Sequence, residues 1–322
     1  MSSHKFDPEF YAAMKETLEG PSAQIKDIYD IRKLNEDLLP AISSAYPVAK
    51  GIQQELFSAK SYDGAKVDIT RFASESALKS STPLPAVIFI HGGAMVSGSP
   101  AMYAQSTSYL AEQLGYPVFS VDYRVAPEHS PTVSMEDCYA AVAWVSQNAG
   151  SLNVDPAKLT VMGDSAGGLH SACVALNARD RKLSPPLAKQ VLIYPTLDDR
   201  VPSTKNDPRG DLLLWREEYS VITWNAYLGE GHAEKDSAEL PNNSVPARVE
   251  DLSGLPSTYM DIGTLDLFLE ENMTYASRLV KAGVEVELHV QPGLPHGWEG
   301  AGPIGWFKAA MQSRVDAIKR GF

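Results

Sequence analysis

From residue 85 onward, short apolar runs alternate with helical patterns, and this rhythm narrows the fold more than any other feature. The runs are "PAVIFI" (85–90), "PVFSVDYR" (117–124), "LTVMG" (159–163), "QVLIYP" (190–195), "STYMDI" (257–262) and "VELHVQP" (286–292). Helical patterns fall between most of them, at about 103–114, 134–148, 166–179 and 267–282. Near-continuous apolar strands separated by helices mean a parallel sheet covered on both faces. Upstream, "QELFSAKSY" and "AKVDITRFA" flank "DG" and predict an antiparallel hairpin. The expectation is an α/β fold: one mostly parallel, eight-stranded sheet flanked by helices.

Two segments stand outside this rhythm. At the N-terminus, "DPEFYAAMKETLE" (7–19) has Asp7 as N-cap, Pro8 at the first helical position and a stop at Gly20-Pro21. A second helix is expected over about 24–38, and together they form an accessory element laid over a larger domain. Residues 197–250 carry no clear strand but hold the helical stretch "LLLWREEYSVITWNAYLG" and the polar loop "PNNSVPARVE". An insertion of this length reads as a lid. No repeat or Ser/Gly/Pro-rich linker divides residues 1–322, so a single domain is expected.

Composition narrows the function classes. The net charge of −12 argues against nucleic acid or an anionic membrane surface as partner, because both need basic patches. Two cysteines, Cys138 and Cys173, make neither a disulfide framework nor a zinc cluster, and both read as small buried apolar residues. No apolar run approaches the ~20 residues of a membrane span. The N-terminus lacks a secretory pattern, and "IKRGF" is neither a peroxisomal nor an ER-retention signal. A cytoplasmic protein is expected.

"LTVMGDSAGG" places G-x-S-x-G at Gly163, Ser165 and Gly167. Alone the pattern is modest, matching by chance in roughly one chain of this length in ten. Its context is more telling: an apolar strand runs in and a helical pattern runs out. Such a turn puts the Ser165 hydroxyl at the top of the sheet beside a helix N-terminus. A serine attacks only with a base, and the base needs an orienting acid; in this arrangement the order is Ser, acid, His. For the base, His296 competes with His170, His232 and His289. His289 lies inside a strand, His170 on a helix body and His232 in the lid, whereas His296 sits in a loop at the same sheet edge as Ser165. For the acid, Asp266 competes with Asp261, Glu270 and Glu271. Asp261 falls within a strand and the glutamates on a helix body, whereas Asp266 precedes a helix expected to begin near 267, where N-capping is its ordinary role. Finally, "HGGAMVSGS" (91–99) follows a strand, and a strand ending in His-Gly-Gly presents backbone N–H groups to an oxyanion.

Taken together, these pieces resemble the hormone-sensitive-lipase-like branch of the α/β-hydrolases, carboxylesterases with a helical cap. The resemblance covers roughly 50–300 and rests on "HGGAMVSGS", "DYRVAPEH" (122–129), "GDSAGG" (163–168), "DIGTLDLFLEENMTYASRL" (261–279) and "GLPHGW" (293–298). It implies Ser165 as nucleophile, His296 as general base and Asp266 as its orienting carboxylate. It also implies a cap built from about 1–45 and 197–250. Asp122 and Arg124 would anchor a loop beneath the site, and His91 would hold its own loop. The implied oxyanion donors are the N–H groups of Gly93, Ala94 and Ala166, with Gly92 making the tight turn and standing as a further candidate. No cofactor or metal is implied. The expected partner is a small-molecule ester, and the protein is expected to be a monomer or homodimer.

The chain departs from the family pattern twice. Asp266-Leu267-Phe268 stands where the family usually has Asp-Pro-Leu, and Ala94 where it usually has another glycine. Alanine has the same N–H as glycine, so Ala94 is expected to donate it from a backbone with negative φ. The main reading is a serine carboxylesterase for small to medium acyl groups. Two others share the scaffold: a non-hydrolytic or pathway-dedicated enzyme such as a dehydratase, and a small-molecule receptor. Trp215, Trp224 and Tyr227 are expected either to pack the cap or to line the pocket.

Overall fold

The computed structural model describes residues 4–21 and 23–320. Residues 1–3 and 22 of the expected cap segment, and residues 321–322, lie outside the described residues. In chain order the helices are Pro8–Leu18 (α1), Ile28–Ser44 (α2), Glu75–Leu78 (α3), Ala104–Leu114 (α4), Pro131–Gln147 (α5), Ala149–Leu152 (α6), Ala166–Asp180 (α7), Glu217–Leu228 (α8), Leu269–Lys281 (α9) and Gly305–Lys319 (α10). The strands are Ile52–Lys60 (β1), Lys66–Ser74 (β2), Leu84–Ile90 (β3), Val118–Asp122 (β4), Val154–Asp164 (β5), Lys189–Ile193 (β6), Ser257–Leu265 (β7) and Val286–Pro295 (β8).

All eight strands join one sheet in the order β1-β2-β4-β3-β5-β6-β7-β8. β1 and β2 form the expected antiparallel hairpin, β2 runs antiparallel to β4, and every other neighbour is parallel. The central strands serve two cores, which explains their unbroken apolarity. On β3, Ala86, Ile88 and Ile90 belong to the core on the α5 and α7 side, while Val87 and Phe89 belong to the core on the α4 and α10 side. Both cysteines are free and buried. Among the described residues no helix is long and apolar enough to cross a membrane.

Local chemistry explains most element ends. The Asp7 carboxylate accepts from the N–H groups of Glu9 and Phe10, and Pro8 occupies the first turn of α1. Asp27 caps α2 in the same way, through Tyr29 and Asp30. α2 runs on to Ser44 through Pro40, beyond the expected end near 38. Pro40 removes one helical donor, but Leu39 and Ser43 on either side are buried, and Ser43 accepts the Ser106 N–H at 3.1 Å. α10 was not expected from the sequence. Its apolar positions are interrupted by Lys308, Gln312, Arg314 and Asp316, and Arg314 is buried by pairing with Asp261 and Glu299.

α1 and α2 lie across the C-terminal ends of the strands, and α2 meets α8 of the 197–250 segment. Trp224 and Tyr227 pack inward with Tyr219 and Ile31 in a third apolar cluster. Beneath the site, Arg124 pairs with Asp137 and Asp63. Asp122 takes no part in that anchor; its side chain is exposed at the end of β4.

Candidate active site

β5 ends at Asp164 and α7 begins at Ala166, leaving Ser165 alone on the turn at φ 54° and ψ −118°. The chain passes so close to itself there that the motif's glycines are obligatory. A Cβ on Gly167 would lie 2.0 Å from the Ile90 carbonyl oxygen, and one on Gly163 would lie 2.3 Å from Gly167 backbone. Ser165 is thereby thrust above the sheet at the start of a 15-residue helix.

Parallel register supplies the next two groups. Leu265 at the end of β7 pairs with Pro295 at the end of β8, so Asp266 and His296 leave the sheet side by side. His296 Nε2 lies 2.9 Å from Ser165 Oγ, and His296 Nδ1 lies 2.7 Å from Asp266 Oδ2. Asp266 is fully buried, and its second oxygen accepts the Phe268 N–H at 2.9 Å. That bond shapes the turn which the family's proline would otherwise preset, and α9 starts only at Leu269, so Asp266 does not cap it. Arg209 donates to the Asp266 carbonyl at 3.1 Å. The His296 ring is packed edgewise by Tyr194 at 4.8 Å and Phe268 at 5.1 Å. Sequence reasoning missed all three supports. Arg209 and Tyr194 left no local signal, whereas Phe268 stood in the departing motif.

The competing residues are engaged elsewhere. His232 bonds to Asp199, which also pairs with Arg248, inside the 197–250 segment. His289 bonds to Glu287 on β8. His170 is fully buried in α7 against Tyr123, and burial pushes its pKa down to about 3. Asp261 pairs with Arg314, Glu271 accepts the Leu197 N–H, and Glu270 is exposed.

The 91–98 loop comes up beside Ser165. The Gly92 N–H is already committed, donating to Asp164 Oδ1 at 3.1 Å. Among the described residues, the N–H groups of Gly93, Ala94 and Ala166 have no protein acceptor. Gly93 and Ala94 line one cavity with Ser165 and His296. The expectation of negative φ at Ala94 is wrong: φ is 124° at Gly93, 58° at Ala94 and 66° at Met95. The reason is a tight reversal in which the Gly93 carbonyl accepts both the Val96 and Ser97 N–H groups, at 3.1 and 3.0 Å. Two left-handed non-glycine residues cost roughly 1–2 kcal/mol each. Asp164 also accepts from Tyr103 Oη at 2.9 Å, and its burial pushes its pKa up to about 6.

The cavity holds about 180 Å³. Its far walls come from α1 and α2, through Phe10, Met14, Leu34 and Leu38, and from Leu214, Trp215 and Tyr219. Among the described residues, Asp164 and His296 are the only acidic or basic ones that line it. Of the three aromatics singled out in the sequence, only Trp215 lines it.

A strained serine turn, a hydrogen-bonded histidine and aspartate from the next strand ends, and a mostly parallel sheet define an α/β-hydrolase. Residues 87–300 match the family model described as the alpha/beta hydrolase fold. The chain is 36% identical over 240 residues to the carboxylesterase NlhH of Mycobacterium tuberculosis, covering 74% of this chain and 72% of that protein. It is 32% identical to the esterase LipI of the same organism, over 74% of this chain and 71% of that one. Among solved structures, a bacterial heroin esterase superposes with a TM-score of 0.87 at 32% identity, covering 98% of each chain. The chain belongs to the hormone-sensitive-lipase-like carboxylesterases of the α/β-hydrolase fold, a family of carboxylic ester hydrolases.

Proposed function

We propose that the protein is a serine esterase acting on neutral esters with small to medium acyl groups. Ser165 Oγ attacks the ester carbonyl carbon and passes its proton to His296 Nε2. The carbonyl oxygen becomes an oxyanion held by the N–H groups of Gly93, Ala94 and Ala166. The C–O bond to the alcohol then breaks, and the alcohol leaves with the proton from His296. Water, deprotonated by His296, attacks the acyl-enzyme; the Oγ–C bond breaks, the acid departs and Ser165 regains its proton. Asp266 orients the imidazole and stabilises its charged form.

The observation that carries this reading is the Ser165–His296–Asp266 chain of hydrogen bonds, 2.9 and 2.7 Å long, in the wall of an apolar cavity. Losing one donor costs roughly 2.7–4 kcal/mol of transition-state stabilisation, comparable with the roughly 2–4 kcal/mol of holding Ala94 and Met95 together at positive φ. The family's cap is assigned to 1–45 and 197–250; α1, α2, Leu214 and Trp215 lining the pocket support this. Closing the cavity with apolar side chains excludes water and strengthens the electrostatics inside.

The test is a panel of p-nitrophenyl and alkyl esters graded in acyl length and alcohol bulk, with Ser165→Ala as the blank. Activity confined to neutral, short to medium esters and absent from the blank is expected. Full activity in purified Ser165→Ala sinks the proposal. Release of water without acid from the substrate would point instead to a dehydratase.

A further inference from the structure

The 91–98 loop is held from two sides. Its first half is tied to the hydrolase body: Tyr123 Oη donates to the His91 carbonyl at 2.9 Å, and Gly92 donates to Asp164. Its second half is tied to α2. Arg32 Nε donates to the Val96 carbonyl at 2.8 Å, and its Nη2 donates to the Ala126 carbonyl at 2.7 Å. Ala126 in turn donates its N–H to the Met95 carbonyl at 2.9 Å. Glu128 holds the outer side of the same guanidinium. One turn along the helix, Asn35 Nδ2 donates to Ser97 Oγ at 2.8 Å, and that hydroxyl donates to the Gly93 carbonyl at 2.9 Å. Ile31, on the same face, is fully buried in one cluster with Ala94, Met95 and Val96.

We propose that Arg32 and Asn35 are positioning residues for catalysis, so that α2 sets the geometry of the oxyanion hole as well as covering the pocket. This rests on the esterase reading above. The peptide group links the two functions. The Gly93 carbonyl and the Ala94 N–H belong to one planar trans peptide and point in opposite directions. Whatever holds the Gly93 oxygen inside the loop therefore turns the Ala94 N–H outward, on the side where Gly93 and Ala94 line the cavity. Ser97 holds that oxygen, and Asn35 holds Ser97. Three successive positive φ values persist only where the surroundings over-determine them. The side-chain hydrogen bonds from the body stop at Gly92, and beyond it the body reaches the loop through the Ala126 N–H on Met95 and apolar packing. The side-chain hydrogen bonds to Gly93 and Val96 come from α2, directly or through Ser97, and Arg32 also holds Ala126.

Ser97→Ala and Arg32→Gln give the cleanest test, because neither residue lines the cavity. Lys33→Ala, on the exposed face of α2, is the control and should match wild type. The readouts are kcat and KM for p-nitrophenyl acetate and the inhibition constant of a trifluoromethyl ketone. Ser165 adds to that ketone carbonyl, its proton goes to His296, and the resulting oxyanion sits in the hole. Loss of positioning should lower kcat roughly 10- to 100-fold, less than outright removal of a donor. KM should change little, and the ketone should weaken by the factor lost from kcat/KM. Arg32→Lys, which restores one of the bonds, should recover part of the loss. Folded Ser97→Ala and Arg32→Gln proteins with kcat and ketone affinity within about twofold of wild type would overturn the proposal. So would a fall in kcat that merely tracks lost fluorophosphonate-titratable sites, with normal ketone affinity at the remainder. A wild-type protein that hydrolyses no ester and takes no fluorophosphonate at Ser165 refutes the underlying esterase reading instead.

Discussion

Two strained turns meet above the sheet, and they are held in different ways. The Ser165 turn closes β5 onto α7 with one left-handed residue, locked by Gly163 and Gly167 against neighbouring backbone. The 91–98 loop closes β3 with three successive positive φ residues, only the first of them glycine. Its bracing comes from Asp164, Tyr123, Arg32 and Asn35, all distant in the chain or on another element. The difference teaches how strain is held: in the first turn by close backbone packing of Gly163 and Gly167 against each other and against the end of β3, in the second by side-chain hydrogen bonds that reach across the pocket.

The largest effect should come from Gly167→Ala. The new methyl meets the Ile90 backbone oxygen at 2.0 Å, and neither helix nor sheet has room to yield. A destabilisation of more than about 4 kcal/mol is expected, read as failure to fold or as a collapsed urea midpoint. Gly93→Ala offers the matching test in the loop, where the methyl would meet the Ser97 carbonyl oxygen at 2.1 Å with φ at 124°. This loop lies outside the sheet, so the protein should stay folded while kcat falls roughly 10²- to 10³-fold, as for a lost oxyanion donor. Global unfolding of Gly93→Ala would break the comparison.

A neutral buried histidine lies under each turn, His91 at the root of the loop and His170 one helical turn beyond Ser165. Burial lowers their pKa values to about 4 and about 3. Below the usual histidine range the unfolded chain takes up protons that the folded chain refuses, so stability falls as pH drops from about 6.5 towards 4. Asp164 acts oppositely. Its carboxyl is raised to about 6, so the folded state keeps a proton there that the unfolded chain has released, from about pH 4 to 6. Among these three groups the two histidines outweigh the aspartate, so together they lower stability in acid. His170→Phe should flatten the pH dependence of unfolding free energy by about 1.4 kcal/mol per pH unit across that window, measured by denaturant melts. An unchanged slope would mean that His170 takes a proton in the folded protein.

The smallest effect should come from Ala94→Gly. Relief of positive φ gains roughly 1–2 kcal/mol, and the added freedom of the unfolded chain returns about 0.4–1 of it. A net stabilisation of about 0–1.6 kcal/mol is expected from denaturant melts, and clear destabilisation would contradict the strain assigned to Ala94.

The same contrast separates what the sequence made legible from what it hid. The alternation of apolar runs and helices exposed the sheet. Ser165, Asp266 and His296 could be singled out because chain order and strand ends constrain them, and the structure brings all three together. The backbone at Ala94 was hidden, because alanine signals a right-handed or extended conformation and only tertiary bracing overrides it. α10 was hidden because charged residues interrupt its apolar face. Pro40 masked the last turn of α2. The bond from Asn35 to Ser97 spans 62 residues and leaves no local pattern.

The central claim is that Ser165 carries the acyl group through a covalent intermediate. Rapid mixing with p-nitrophenyl acetate, acid quench and mass spectrometry of the peptide containing Ser165 tests it most directly. The account predicts an acetyl adduct on Ser165, approaching one per active chain when deacylation is slower than acylation, and no adduct in Ser165→Ala. Steady hydrolysis with the acetyl group on another residue, or undiminished hydrolysis by Ser165→Ala, would contradict it.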